Sequence, residues 1–318
     1  MNNKIAIGVL AYNVDSYIEN VIKEIIELEY KVYVLDDNSS DKTLEVLDKY
    51  KNHQNLNILS NNKNRGAGYS LRKIIKQVKN DGYEFLIKVD GDGQFVINDI
   101  KKIIELHKEN NYEFIKSNRF WKDGIKGSIP RKRFVGNVFA TVLTQAVTGT
   151  NKIYDPLNGL FGISLKIEQY LDDKRYPKRY GYPYFFTLAA VHYDFKIYQI
   201  NNTVIYDNQS SNLNPLKVLI TLTRLSIRFY LLKIKKKRTI AQFQRSAFFD
   251  ILFIGGLCLS LTLFVWLLFI LFFSSTTIIQ PGNLLLLNFI SILITSLFFS
   301  ASYKEEKNIR NKNILSDL

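Results

Sequence analysis

The sequence predicts an α/β domain, with a mainly parallel sheet and helices on both faces. An amphipathic helix and a two-helix hairpin apolar enough to cross a membrane follow it. Three observations carry this reading. Short apolar runs alternate with helical patterns up to about residue 120, as in a covered parallel sheet. Pro215 to Lys233 divides into a basic and an apolar side. Ile251 to Phe273 carries no charge, and Leu284 to Tyr303 is a second such run, each near the roughly 20 residues a helical span needs.

Ile5–Ala11, Lys31–Asp36 and Phe85–Asp90 are near-continuous apolar runs, the pattern of buried parallel strands. Between the first two, Ser16 and Glu19 have the spacing of a capping box, and Ile18, Val21, Ile22, Ile25 and Ile26 form a helical face. Ser40–Tyr50 and Tyr69–Val78 read as further helices, and Asn98 or Asp99 caps another through Leu106. In Pro215–Lys233, Lys217, Thr221, Arg224 and Arg228 fall on one side. Val218, Leu219, Leu222, Leu225, Phe229 and Leu232 fall on the other. Such a helix is well suited to a membrane interface, with packing against the α/β domain as the alternative, and the two are compatible.

The expected boundaries are 1–210 for the α/β domain, 211–246 for basic juxtamembrane helices, 247–303 for the hairpin and 304–318 for a tail. The spans themselves cover about 251–273 and 284–303, with Pro281 and Gly282 suited to a tight turn in the Ser274–Asn283 link. No acidic residue occurs from Asn208 to Phe249, whereas Lys217, Arg224, Arg228, Lys233, Lys235, Lys236, Lys237, Arg238 and Arg245 are basic. Positive flanks stay inside, so both ends of the hairpin are expected on the cytoplasmic side of an inner or cytoplasmic membrane. Much of the net charge of +14 then faces anionic headgroups. The seven residues Ile5–Ala11 are too short for a signal peptide. Basic residues beside a span, without a nucleic-acid motif, argue against nucleic acid as a partner. The single cysteine, Cys258, excludes a disulfide framework, and His53, His107 and His192 show no ligand spacing.

In an open parallel sheet, ligands bind beyond the carboxyl ends of the strands. Lys31–Leu35 ends in Asp36-Asp37-Asn38-Ser39-Ser40-Asp41, and Phe85–Val89 ends in Asp90-Gly91-Asp92-Gly93-Gln94. Carboxylates gathered on one edge need a metal or hydrogen-bond donors to offset their repulsion. Oxygen-only ligation by Asp90 and Asp92 favours Mg²⁺ or Mn²⁺ shared with phosphate oxygens. An isolated Asp-x-Asp usually marks a solvated turn; one that directly follows an apolar strand is more specific.

At these residues the chain resembles the family 2 glycosyltransferases with a GT-A fold (Rossmann-like). Within them it resembles the polyprenyl-phosphate branch of dolichol-phosphate mannosyltransferases and undecaprenyl-phosphate glucosyltransferases. The resemblance spans about residues 4 to 205. It rests on Ala11-Tyr12-Asn13, Val34 to Thr43, Asn64-Arg65-Gly66-Ala67-Gly68, Asp90 to Gln94, Ser117-Asn118-Arg119, Arg133 to Asn137 and Asp155-Pro156-Leu157-Asn158-Gly159. It implies that Ala11, Tyr12, Asn13 and Asp37 line the nucleotide pocket of a UDP- or GDP-linked sugar donor. Gly66 and Gly68 would admit the donor closely, although glycines there also fit a plain helix-entry turn. Asp90, Gly91 and Asp92 would meet the pyrophosphate, with Asp90, Asp92 and Gln94 at the divalent ion. Arg119, Arg133 and Asn137 would take the phosphate of a polyprenyl phosphate, for which guanidinium forks are suited. Asp155 would face sugar or acceptor, so that Asp92, Asp155, Arg119 and Arg133 form the catalytic set.

Two departures leave the base and the sugar open. Val14 stands where the family commonly has glutamate, and Tyr184-Phe185-Phe186-Thr187 lacks the acid often found after the Asp-Pro-x-x-Gly segment. The implied function is an inverting, metal-dependent glycosyltransferase acting on a lipid phosphate. One alternative is extension of a lipid-linked saccharide in surface-polysaccharide assembly, which needs a base for a hydroxyl acceptor, with Asp155 the candidate. Another is an inactive sugar-nucleotide-binding membrane scaffold. Gln242-Phe243-Gln244-Arg245-Ser246 lacks the tryptophan of a processive synthase motif. Self-association is expected on the ground that two spans bury little surface in a monomer.

Overall fold

In the computed structural model the described residues are 4–121, 125–126, 131–171, 176–205, 215–240, 243–273, 281–310 and 314–316. The chain begins with β1 (Ile5–Ala11), α1 (Asp15–Ile26), β2 (Lys31–Asp36), α2 (Thr43–Asp48), β3 (Leu56–Ser60), α3 (Ala67–Asn80), β4 (Phe85–Asp90) and α4 (Ile97–Asn110). It continues through β5 (Phe114–Asn118), β6 (Ile125–Lys126), α5 (Arg131–Thr148), β7 (Phe161–Ser164), α6 (Tyr182–His192), β8 (Ile197–Asn201) and β9 (Val204–Ile205). The last elements are α7 (Pro215–Thr239), α8 (Gln244–Phe273), α9 (Pro281–Arg310) and β10 (Ile314–Ser316). Two units divide the chain: Met1–Thr148, Lys152–Phe229 and Asn313–Leu318 form one, Gly149–Asn151 and Tyr230–Lys312 the other.

The first unit is built on an eight-stranded sheet in the order β10-β8-β5-β7-β4-β1-β2-β3. β1 pairs in parallel with β2 on one side and β4 on the other, so the strand order reverses at β1. The crevice beyond its carboxyl end is therefore the expected place for a ligand. The three strands expected from sequence are present with the same bounds, and all seven residues of β1 are buried. The exception to parallel pairing is β7, which runs antiparallel between β4 and β5.

Several helix boundaries differ from expectation. The capping box at Ser16 does not form; Val14 precedes α1 without a side-chain cap, and the Asp15 amide donates to Asp41 instead. Glu19 is drawn away to Lys23 and the Tyr50 hydroxyl. α2 is shorter than Ser40–Tyr50 because Ser39 and Ser40 are engaged by Asp36 and Asn13. α4 starts before Asn98 and runs to Asn110; Asp99 accepts from the Thr203 amide rather than capping it.

Helix α7 resolves the two readings of its pattern in part. Leu222, Leu225 and Phe229 are buried, and Ser226 meets the Tyr184 hydroxyl of α6 at 2.7 Å. Leu216, Leu219, Ile220 and Ile227 remain exposed on the same helix.

The second unit contains two helices long and apolar enough to cross a membrane, with mean hydropathies of 2.5 and 2.2 over their most apolar windows. Only 11% and 22% of those windows is buried, unlike core helices of a soluble protein. They pack along a seam of small and polar residues, with Ser260 and Ser291 hydroxyls 2.8 Å apart. A Cβ on Gly256 would lie 2.1 Å from Thr295 Oγ1, so only glycine permits this approach. Pro281 and Gly282 begin α9 rather than forming a turn, and residues 274–280 of the link lie outside the described residues. Two of the basic residues expected to face headgroups do not. Lys237 Nζ is 2.7 Å from Asp250 and 2.6 Å from Glu306, and Lys233 is 3.2 Å from Glu306, all buried.

Two outcomes follow for stability. A Cβ on Gly162 would sit 2.5 Å from Phe85 and 2.7 Å from Ile103, so Gly162→Ala is expected to destabilise by about 1–3 kcal/mol in thermal unfolding. Burial pushes the Asp99 carboxyl up from 3.8 to about 6. Its folded form therefore holds a proton the unfolded chain releases, and that contribution to stability is lost as pH rises from 3.8 through about 6. Asp99→Asn should flatten the fall in Tm across this window, measured on the detergent-solubilised chain.

Candidate functional site

Three strand ends meet at the reversal point: Ala11 of β1, Asp36 of β2 and Asp90 of β4. Ala11 is buried, and its carbonyl accepts from the Asp37 amide at 2.9 Å. Tyr12 is exposed beyond it. Asn13 adopts a left-handed φ of 52° and holds the next loop, its Oδ1 accepting from the Ser40 amide at 2.8 Å. At Val14, where sequence shows no glutamate, the backbone amide donates to Thr43 Oγ1 at 2.8 Å.

Asp37 is buried with its carboxylate occupied by donors from one loop. Oδ1 accepts from Asn61 Nδ2 at 2.8 Å and the Arg65 amide at 2.9 Å; Oδ2 accepts from the Gly66 amide at 2.7 Å. At Gly66 and Gly68 the absence of a side chain admits a close approach by the Pro177–Arg179 segment. A Cβ on Gly66, whose φ is +94°, would be 2.4 Å from Arg179 Cγ. One on Gly68 would be 2.0 Å from the Pro177 carbonyl. The Tyr69 amide donates to Lys178 O at 2.7 Å, which seals the contact.

At the end of β4, Asp90 and Asp92 flank Gly91, whose amide donates to Leu10 O at 2.9 Å. A Cβ on Gly91 would lie 2.8 Å from Ile18 Cδ1, so the turn is pressed against β1 and α1. The Gln94 amide donates to Asp92 Oδ1 at 3.2 Å. Asp92 is pushed up to about 6, by burial first and the neighbouring Asp90 carboxylate second. Two oxygen-donor carboxylates whose charges oppose each other fit a hard divalent ion. Among the described residues no group of three or more His, Cys, Asp or Glu gathers to hold a metal. An ion held by this pair of carboxylates would need further oxygen ligands from elsewhere.

Asp90 also has a protein cation. Lys88 Nζ, fully buried, is 2.5 Å from its Oδ1. Across the site, Asp155 is buried with a left-handed φ of 50° and is clamped by Arg119. Arg119 Nε and Nη2 each donate at 2.9 Å, one to each carboxylate oxygen, in a bidentate fork. The Arg119 amide and Asn158 Nδ2 both add 3.1 Å bonds to Oδ2. Arg119 Nη2 also reaches Asn137 Oδ1 of α5 at 3.4 Å. Arg133 lies one helical turn before Asn137 on α5, but its side chain is outside the described residues. The predicted residues thus form an Ala11–Asp37 group, an Asp90–Asp92–Gln94 group and an Arg119–Asn137–Asp155 group.

Sequence reasoning missed Lys88, Lys116, Asn158 and Asn202. Lys116 Nζ donates to the Asn158 carbonyl, and burial pulls it down to about 7 against the opposing pull of Asp155. Asn158 Nδ2 also bonds Asn202 Oδ1 at 3.0 Å. A signal was present: a lysine inside each of the apolar strands Phe85–Asp90 and Phe114–Asn118, where cations are rarely buried without a partner.

The chain is similar to several known proteins. An uncharacterized protein of Methanocaldococcus jannaschii is 24% identical over 228 residues, 70% of this chain and 97% of its own. A UDP-N-acetylglucosamine–dolichyl-phosphate N-acetylglucosaminyltransferase of Methanococcus voltae is 26% identical over 184 residues, 54% of this chain and 73% of its own. Among solved structures, glucosyl-3-phosphoglycerate synthase from Mycobacterium tuberculosis, in complex with Mn²⁺, UDP and phosphoglyceric acid, matches with a TM-score of 0.56 at 16% identity. That match covers 70% of this chain and 78% of the other, and shows a shared fold. The sequence model of glycosyl transferase family 2 matches residues 6–168, about half the chain. With its strand order, its acidic strand ends and this match, the chain belongs to glycosyl transferase family 2 and has the GT-A fold.

Proposed function

We propose that this glycosyltransferase moves a sugar, with inversion, from a nucleotide donor to a polyprenyl phosphate at the cytoplasmic face of a membrane. The observation that carries the acceptor class is the state of Asp155. It is fully buried and receives four hydrogen bonds, from Arg119 and Asn158, which supports reading it as a clamp. A hydroxyl acceptor needs a base; a phosphate acceptor is already anionic and needs placement and charge neutralisation. The dolichyl-phosphate transferase of Methanococcus voltae supports the same acceptor class.

Helix α5 supports a lipid partner. Asn137 on its buried side touches Arg119, while Phe134, Val135, Val138, Phe139 and Val142 are exposed on the same helix. An apolar face beside the acceptor group suits insertion among acyl chains. α8 and α9 would supply the anchor as two membrane spans, with the catalytic sheet, its C-terminal strand β10 included, on the cytoplasmic side.

In the proposed reaction a phosphate oxygen of the acceptor attacks the anomeric carbon. The bond from that carbon to the nucleoside diphosphate breaks, and its electron pair leaves with the diphosphate. No proton is removed. Arg119, its plane set by Asp155, and Arg133 with Asn137 would orient the acceptor phosphate. Ala11, Tyr12, Asn13 and Asp37 would form the nucleotide side, Asp37 through the loop it holds. Asp90 and Asp92, with Gln94 beside them, would hold Mg²⁺ or Mn²⁺, which as a Lewis acid offsets charge on the departing diphosphate.

The test is transfer of label from UDP- and GDP-sugars to undecaprenyl phosphate in detergent. A chloroform-soluble product that EDTA abolishes, and that Asp92→Asn lowers by about 10²-fold or more, is the expected outcome. Donor turnover onto a lipid-linked saccharide, with none onto the lipid phosphate, would refute the acceptor assignment. Arg119→Met should destabilise the fold by about 3–5 kcal/mol by stranding buried Asp155. Arg119→Met with Asp155→Leu should recover much of that in thermal unfolding while transfer stays lost.

A further inference from the structure

Lysine is among the residues least often fully buried. The sheet of this protein carries two, on one face. Lys88 of β4 and Lys116 of β5 both stand opposite Phe161 of β7, and Gln199 of β8 stands opposite Lys116. Residues paired across strands share a face, so the four form one row beneath the active edge. Each polar member reaches to that edge. Lys88 pairs with Asp90 at 2.5 Å, Lys116 donates to the Asn158 carbonyl, and Gln199 Oε1 accepts from the Tyr154 amide at 2.9 Å. On its Gly159 side the space beside Asp90 is closed: a Cβ on Gly159 would be 2.2 Å from Asp90 Oδ2 and 3.1 Å from Lys88 Nζ. The Tyr182 ring lies 5.2 Å from the same ammonium.

An apolar side chain of similar size at either position would avoid the desolvation of an ammonium and often stabilises a fold. Packing alone therefore does not account for the lysines. We propose that Lys88 and Lys116 are positioning residues for sugar transfer. Lys88 presets the Asp90 carboxylate and the charge a divalent ion meets there; Lys116 presets the Tyr154–Gly159 segment that carries Asp155. The inference rests on the transfer reading of this edge. It assigns the lysines no contact with substrate.

Mn²⁺ binding to the full chain in detergent, with UDP present and no sugar donor, reads Lys88 independently of activity. Lys88→Met is expected to tighten Mn²⁺ by about tenfold, because a positive charge beside the carboxylate pair is gone. In an Asp90→Asn background the same substitution should have a smaller effect, since Lys88 acts largely through Asp90 and reaches Asp92 only by its field. Unchanged Mn²⁺ affinity in a folded Lys88→Met protein, or an effect undiminished by Asp90→Asn, overturns the role of Lys88. Should Lys88→Met fail to fold, Lys88→Gln removes the charge and keeps a polar tip, with the same shift expected.

For Lys116, hydrogen exchange of the Tyr154–Gly159 amides should quicken by about tenfold in Lys116→Met, and the KM for lipid phosphate should rise with the donor KM unchanged. Unaltered exchange overturns that half. A wild-type chain that binds Mn²⁺ but makes no lipid product sinks the acceptor reading alone and leaves both readouts decisive. A wild-type chain that binds no Mn²⁺ even with UDP present sinks the metal assignment and the role of Lys88 together.

Discussion

Charge balance at the carboxyl edge of the sheet is the constraint on which the rest of this structure depends. Asp37, Asp90, Asp92 and Asp155 reach one edge, and carboxylates crowded together cannot all stay ionised unless something answers them. Asp37 is answered by the Arg65 and Gly66 amides and by Asn61. Asp90 is answered by Lys88, and Asp155 by the Arg119 fork. Asp92 carries the residual conflict, its proton affinity raised by burial and by Asp90. That is the place where an added cation gains most.

The antiparallel strand β7 makes this arrangement reachable. Wedged between β4 and β5 and running against both, it brings the segment that precedes it to the edge where β4 and β5 end. One loop, Tyr154–Gly159, can then touch Asp90 through Gly159, Lys116 through Asn158 and Arg119 through Asp155. A parallel strand in that place would have delivered its leading segment to the opposite edge. The mixed sheet is thus the means by which the Asp90–Asp92 group and the Arg119–Asp155 clamp share a floor.

How much of this was legible in the sequence depends on the range of the interactions. Strands β1, β2 and β4 were readable because burial on both faces leaves continuous apolar runs, and the acidic ends of β2 and β4 marked the edge directly. Helix ends read less well. The Ser16–Glu19 spacing satisfied a local rule that long-range partners overrode, as Asp41 took the Asp15 amide and Tyr50 took Glu19. β7 was not readable at all, since Phe161–Ser164 is four residues whose direction is set by neighbours far away in sequence. Arg119 and Asp155 were each marked by motif, but their union as a clamp depends on a fold that joins positions 36 residues apart. Lys233 and Lys237 looked like headgroup contacts because Asp250 and Glu306, their partners, lie on other helices.

The contact between the Gly66–Gly68 turn and the Pro177–Arg179 segment has a bearing on how the protein is made. Asn64 and Arg179, joined side chain to side chain at 2.8 Å, are 115 residues apart, and the glycines leave a gap that only this later segment fills. A nascent chain can pair β1 to β4 as soon as they emerge, but the loop held by Asp37 stays without its far wall until the ribosome has moved on past Arg179. Closing so long a loop is slow compared with forming neighbouring βαβ units. The loop held by Asp37 is therefore walled in only late in synthesis, when the stretch leading to the apolar helices is next to emerge.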